Sequence, residues 1–158
     1  MFKIGDRIVY GSIGVCSVED IAPMDRGGKD YYKLKPCFGS EVVYTPVDTK
    51  VFMRPALNRE EALKLISQIP NVESKKCDTK TVTAMKDEYQ QFFTSHNCED
   101  LIQLIKGIYE KGEEAGKLGV IDQRYMKKAE DLLHGELALA LDIERDQVPE
   151  YIAATIEK

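Results

Sequence analysis

The residues best able to do chemistry are few. His96 stands two positions before Cys98, at what reads as a helix N-terminus, where the helix dipole and a nearby imidazolium would favour a thiolate. That pair would make a thiol enzyme. The alternative is a first-turn helix residue beside a loop histidine, because no catalytic-cysteine signature surrounds Cys98. His134, between Leu133 and Gly135, has no motif around it. Arg26-Gly27-Gly28-Lys29 is glycine-rich and basic, but it lacks the GxxxxGK(S/T) frame that cradles phosphate and reads as a hairpin turn. Glu113-Glu114 and the group Asp142, Glu144 and Asp146 lack EF-hand spacing and read as solvated surface. Cys16, Cys37, Cys77 and Cys98 form no CxxC pair, which removes the usual zinc and redox signatures. No catalysis, metal, cofactor or small-molecule substrate is expected from these patterns.

Two basic groups are candidates for phosphate contact. Lys75, Lys76, Lys80 and Lys86 surround the predicted start of a second helix, and Arg124, Lys127 and Lys128 fall within about a turn of a fourth. A helix start offers orphan amides as well as lysines, a combination suited to phosphate. A solvated helix face is the other origin of such lysines. Tyr89, Phe92 and Phe93 nearby fit a core stripe better than a stacking platform.

The elements that must position these residues fall into two parts. The 158 residues allow one domain or two small ones, and 43% hydrophobic with 31% charged residues is the balance of a globular chain rather than a disordered one. No apolar run is long enough to span a bilayer, and Met1 to Asp6 lack the pattern of a signal peptide, so the cytoplasm, with reduced cysteines, is the expected compartment. The net charge of −5 argues against a protein coated by nucleic acid, so any DNA contact must come from a local patch. Residues 1–55 carry 8 basic and 7 acidic side chains and the remainder 14 and 20, which makes the second part the acidic one.

Residues 1–55 read as β structure, with strands expected at 7–10, 15–21, 30–35, 41–45 and 51–53 between glycine-bearing turns. Five strands this short predict a small curled sheet or barrel. In Tyr31-Tyr32-Lys33-Leu34-Lys35, Tyr32 and Leu34 share one face and the other three share the solvent face. Residues 56–158 read as five helices. Asn58 with Glu61 forms a capping-box pattern ahead of Ala62, Leu65, Ile66 and Ile69, and Pro70 stops the run. A second helix is expected over 78–94 with Val82, Met85, Tyr89, Phe92 and Phe93 inward. A third is capped by Asn97, with Leu101, Leu104, Ile105 and Ile108 facing the core, and Gly112, Gly116 and Gly119 loosening its end. Asp122 would cap a fourth helix running past Leu137, and Asp146 a fifth with Pro149 in its first turn.

The opening Phe2-Lys3-Ile4-Gly5-Asp6-Arg7-Ile8-Val9-Tyr10, with Gly14-Val15 and Ile21, resembles the start of the CarD/CdnL family of bacterial transcription regulators and the polymerase-interacting domain of transcription-repair coupling factor. Asp30-Tyr31-Tyr32-Lys33-Leu34 and Val43-Tyr44-Thr45-Pro46-Val47-Asp48 resemble the family's later strands in order. The run from Lys128 through His134-Gly135-Glu136 to Ala140 is similar to its C-terminal helical signature. The resemblance implies an α+β chain of two modules: a Tudor-like β module, 1–55, that binds the RNA polymerase β subunit, and an all-α five-helix module, 56–158, that touches promoter DNA just upstream of the melted region and stabilises the open complex.

On that resemblance the polymerase-binding candidates are Met24, Arg26, Val42, Val43, Tyr44 and Thr45, at a sheet edge over 41–45 and the adjacent turn. The DNA-contact candidates are Lys75, Lys76, Lys80, Val82, Met85, Lys86, Arg124, Lys127 and Lys128. Known members place a Trp as a wedge near the start of the second helix, whereas this chain has none and offers Val82 or Met85 there. An arginine that some members carry in the Val-x-x-Pro strand is Tyr44 here. A different expectation is an adaptor that docks on polymerase and recruits another protein through the acidic helical module without touching DNA.

Overall fold

The computed structural model describes residues 2–11, 13–23, 28–75 and 81–156. It divides into two compact units, Met1–Leu57 and Asn58–Lys158. In the first unit, β1 (Arg7–Tyr10), β2 (Gly14–Pro23), β3 (Asp30–Pro36), β4 (Val43–Pro46) and β5 (Met53–Pro55) form one antiparallel sheet in the order β4-β3-β2-β1-β5. No ladder joins β4 to β5 among the described residues, so of the expected sheet or barrel the structure has the open sheet.

Alternation sorts the strands as their sequence predicts. Tyr32 and Leu34 are buried while Tyr31, Lys33 and Lys35 are not. Ile8, Cys16, Val18, Tyr32 and Leu34 form the core of the sheet, with Phe2, Tyr10, Ile21, Val43, Val47 and Met53 packed against it. Burial, and secondarily the neighbouring Cys37, pushes the Cys16 thiol up to about 11.

Two strand boundaries differ from expectation, each for a backbone reason. β4 starts at Val43 rather than at position 41 because Glu41 would have to pair with Pro36, which has no N–H to give. The last strand is Met53–Pro55 rather than 51–53, since the Val51 N–H is turned onto Thr49 Oγ1 at 3.2 Å and the ladder with β1 opens only at the bond from the Gly11 N–H to the Phe52 carbonyl.

The second unit holds α1 (Arg59–Gln68), α2 (Val82–Gln91), α3 (Cys98–Ala115), α4 (Val120–Leu141) and α5 (Val148–Ile156). The capping box is present: the Glu61 N–H donates to Asn58 Oδ1 and the Asn58 N–H to Glu61 Oε1. α1 gives way to a 3-10 turn, Ile69–Asn71, that contains Pro70. α2 is capped by Thr81, whose Oγ1 accepts the Ala84 N–H. The expected start at Asp78, like Cys77, lies outside the described residues. α2 ends at Gln91, before the expected 94, as Phe92, Phe93 and Thr94 close into tighter i to i+3 bonds.

α3 is capped by Asn97, runs through Gly112 unbroken, and stops at Gly116, whose φ of +81° is the left-handed turn that glycine adopts freely. α4 starts at Val120 with Gly119 as its N-cap, so Asp122 caps it from the third position of the first turn, accepting the Gly119 N–H at 3.4 Å on a carboxylate that faces inward. Asp146 falls in a 3-10 turn, Arg145–Gln147, held by the Glu144 N–H on Gln147 Oε1, so it does not cap α5. Pro149 does sit in the first turn of α5. α4 is central: it packs on α1, α2, α3 and α5, with Ala129, Leu133, Leu137, Ala138 and Leu141 buried. Leu101, Leu104 and Ile108 of α3 are buried as expected, and Ile102 joins them.

Candidate functional site

The sheet ends at β4, and the ladder dictates which of its groups are open. In an antiparallel pair, residues that exchange hydrogen bonds alternate with residues whose N–H and C=O point away. The Val47 N–H donates to the Asp30 carbonyl at 3.1 Å, which puts Thr45 opposite Tyr32 and Val43 opposite Leu34 on the bonded positions. Tyr44, opposite Lys33, therefore turns its N–H and C=O out of the sheet, and its side chain is 50% exposed. Pro46, the next outward position, has no N–H. At the far edge, β5 gives the outward positions to Met53, which packs on the core, and Pro55. Each edge thus turns one N–H outward, at Tyr44 and at Met53; of the two, Tyr44 is the exposed residue and the centre of the β4 edge.

The other expected edge residues separate. Val43 packs against the core, and Thr45 is 3% exposed, with its Oγ1 accepting the Tyr10 hydroxyl at 3.2 Å. Val42 is exposed but precedes the strand. Met24 and Arg26 lie outside the described residues. Phe38, exposed in the β3–β4 connection, joins Val42 and Tyr44 as an apolar group on the same stretch of chain. Its signal in the sequence was an aromatic next to Gly39, in a segment read as a turn.

In the helical unit two of the five described basic candidates are occupied. Lys127 pairs with Asp131 at 3.2 Å, and Lys128 lies 4.4 Å from the centre of the Phe93 ring. Lys75 is exposed, 5.9 Å from the Phe92 ring centre. Arg124 is exposed, Met85 and Lys86 are half-buried, and Lys76 and Lys80 lie outside the described residues. Val82 corrects the expectation of an inward residue: at the first position of α2 it is 53% exposed. Tyr89 and Phe93 carry the buried stripe.

Two buried polar groups complete the unit. Cys98 is buried and its Sγ donates to Glu136 Oε1 at 3.3 Å, so the thiol acts as a donor to a carboxylate of α4. Asp122, 4% exposed, accepts the Tyr89 hydroxyl and Lys111 Nζ at 3.0 Å on Oδ1 and the Gly119 N–H on Oδ2. Burial acts to raise its pKa, but the Tyr89 and Lys111 hydrogen bonds, the Lys111 charge and the Gly119 amide together hold the carboxyl below the usual range. Sequence reading took Asp122 for a cap, and nothing local tells an aspartate in a first turn that a tyrosine 33 residues earlier will reach it.

Residues 2–56 match the family model of the CarD-like/TRCF RID domain. The N-terminal unit belongs to that family. The match runs through all five strands of the sheet and ends before α1. RID denotes an RNA polymerase-interacting domain, so the open β4 edge belongs to a module of the polymerase-binding kind. Within the RID domain the Tyr44 backbone faces outward, Lys33 lies opposite it on β3, and Val42 and Phe38 are exposed. The helical unit lies outside the match. Among its described residues no helix is long and apolar enough to cross a membrane.

Proposed function

We propose that this protein is a non-enzymatic transcription regulator acting on the bacterial nucleoid in the cytoplasm. In this reading its RID domain, a Tudor-like sheet left open between β4 and β5, binds the RNA polymerase β subunit. The helical unit then touches DNA just upstream of the melted region and lengthens the life of the open promoter complex. The observation that carries it is an RID domain whose β4 edge presents the Tyr44 N–H and C=O outward.

The physics is additive strand pairing on one side and electrostatics on the other. A partner strand laid along β4 satisfies backbone groups that water otherwise holds, while Tyr44, Val42 and Phe38 supply apolar contact. Lys75 and Arg124, both exposed, offer phosphate contacts that read no sequence, which suits a factor serving many promoters. Val82, exposed at the start of α2, supplies the apolar side chain that in this reading wedges at the edge of the opened minor groove. Its unstacking cost of roughly a few kcal/mol is offset by the contacts that the distorted DNA permits. Any such preference for melted over closed DNA shifts the equilibrium by the difference in affinity between the two.

The test is the half-life of open complexes formed by purified bacterial RNA polymerase with the full chain. The wild type lengthens it and Tyr44→Glu abolishes the effect together with polymerase binding. Polymerase binding that survives Tyr44→Glu would sink the β4 assignment. A second reading is favoured by the commitment of Lys127 and Lys128 to Asp131 and Phe93: an adaptor whose acidic helical unit recruits another protein. It requires Lys75→Glu and Val82→Ala to leave the half-life unchanged while polymerase binding persists.

A further inference from the structure

One helix face in the second unit is polar in sequence yet half-buried in the fold. Gln103, Lys106, Gly107, Glu110 and Lys111 recur along α3 at the i, i+3, i+4, i+7, i+8 spacing of a single face. By charge alone such a face is a solvated one. Here it is covered by residues 69–75, the segment that leaves α1.

Lys106 Nζ donates to the carbonyls of Ile69 at 2.9 Å and Val72 at 2.6 Å. Ser74 Oγ donates to Glu110 Oε2 at 2.8 Å, and the Lys75 N–H to the Gln103 carbonyl at 3.4 Å. Gly107 lets the two backbones meet, because a Cβ there would stand 2.1 Å from the Lys75 carbonyl oxygen. A turn further along, Lys111 holds Asp122, which holds the Tyr89 hydroxyl of α2. The same face of α3 thus fastens the segment ending in Lys75 and, through Asp122, the helix that follows it.

We propose that this face of α3 is a positioning device for the DNA-contacting end of the helical unit, with Gly107 and the Ser74–Glu110 bond fixing where Lys75 is held. The proposal rests on the DNA-contact reading given above. A cation at the end of a free segment would gain little from phosphate, since holding it there costs conformational entropy each time. Anchored at four points of α3, Lys75 is presented already ordered.

The test uses the full chain with purified RNA polymerase and a promoter fragment, reading open-complex half-life across salt concentrations. Lys75→Gln, Gly107→Ala, Ser74→Ala and, as a control for general destabilisation, Ile66→Val in the α1 core are compared, with polymerase affinity measured for each. The expected result is that Gly107→Ala and Ser74→Ala shorten the half-life about threefold to tenfold and flatten its salt dependence, as Lys75→Gln does, while Ile66→Val and all polymerase affinities stay at wild type. If Gly107→Ala does not fold, Ser74→Ala decides. A short half-life for Lys75→Gln with wild-type behaviour of Ser74→Ala and Gly107→Ala would overturn the positioning role and leave the DNA reading standing. No effect of Lys75→Gln itself would overturn the DNA reading, and the positioning role with it.

Discussion

The two units offer their contacts by different means. At the β4 edge the open groups are backbone: the ladder with β3 turns the Tyr44 N–H and C=O outward whatever the side chain. In the helical unit the candidates are side chains, and neighbours compete for them. Lys127 is on Asp131, Lys128 on Phe93, and Lys106 and Lys111 are drawn inward to carbonyls and to Asp122. A strand edge therefore stays open by geometry, while a helix face stays open only where its own unit has no use for the charge. That difference is why one edge residue stands out in the sheet and why Lys127 and Lys128, adjacent in sequence, are drawn to different neighbours in the fold.

The largest effect expected is on the helical unit alone. Asp122→Ala should destabilise it by about 3 kcal/mol in chemical unfolding, because the Tyr89 hydroxyl and the Lys111 charge lose the buried carboxylate they bond. Polymerase affinity should not follow, and a matching loss there would break the separation between the units. The sign with pH is fixed by the lowered carboxyl. Its contribution is complete above about pH 4, the unfolded value, and is lost as the pH falls toward the folded one. Asp122→Asn should remove that part of the acid sensitivity, seen as a flatter unfolding midpoint between neutral pH and the acid limb.

Tyr44→Glu should weaken polymerase binding by about tenfold or more, roughly 1.4 kcal/mol, with unfolding unchanged since the side chain is half exposed. Tyr44→Pro sharpens the comparison, because it removes the outward N–H while an edge strand tolerates proline. If calorimetric affinity for polymerase is untouched by Tyr44→Pro, the contact is made by side chains and the contrast drawn between backbone and side-chain presentation fails.

Asn58→Ala should cost the helical unit about 1 kcal/mol through the lost cap of α1. A shift in the sheet's own unfolding would contradict its independence. Smallest is Lys127→Gln, whose exposed pair with Asp131 should change stability by less than about 0.5 kcal/mol. Because that lysine is already paired, its effect on open-complex half-life should be smaller than that of Lys75→Gln. The reverse order would mean that DNA displaces Asp131 and that occupied lysines are not spent.

Much of the fold is legible locally. The Tyr32 and Leu34 alternation, the Asn58 capping box, the Asn97 cap and the apolar stripe of α3 are all patterns among near neighbours, and each is in place. Readings that failed turned on distant partners. Val82 continues the α2 stripe in sequence but lies exposed at its first turn, Asp122 stands three positions past the N-cap and adds Tyr89 and Lys111 to its bond with Gly119, and the strand expected from position 41 is cut by Pro36 on the facing strand.

The sequence by itself determined two modules of different period, the caps at Asn58 and Asn97, the inward faces of the strands and, over residues 2–56, the resemblance that the family match bears out. Local steric preference and the 2.0 and 3.6 periods are enough for that. Only the tertiary structure decided that β4 is an open edge with Tyr44 outward and Thr45 sealed in, that Lys127 and Lys128 are occupied, and that the polar face of α3 is covered by the chain leading to Lys75. Strand order and helix packing bring together residues tens of positions apart, and a group's availability depends on what arrives beside it rather than on its own type.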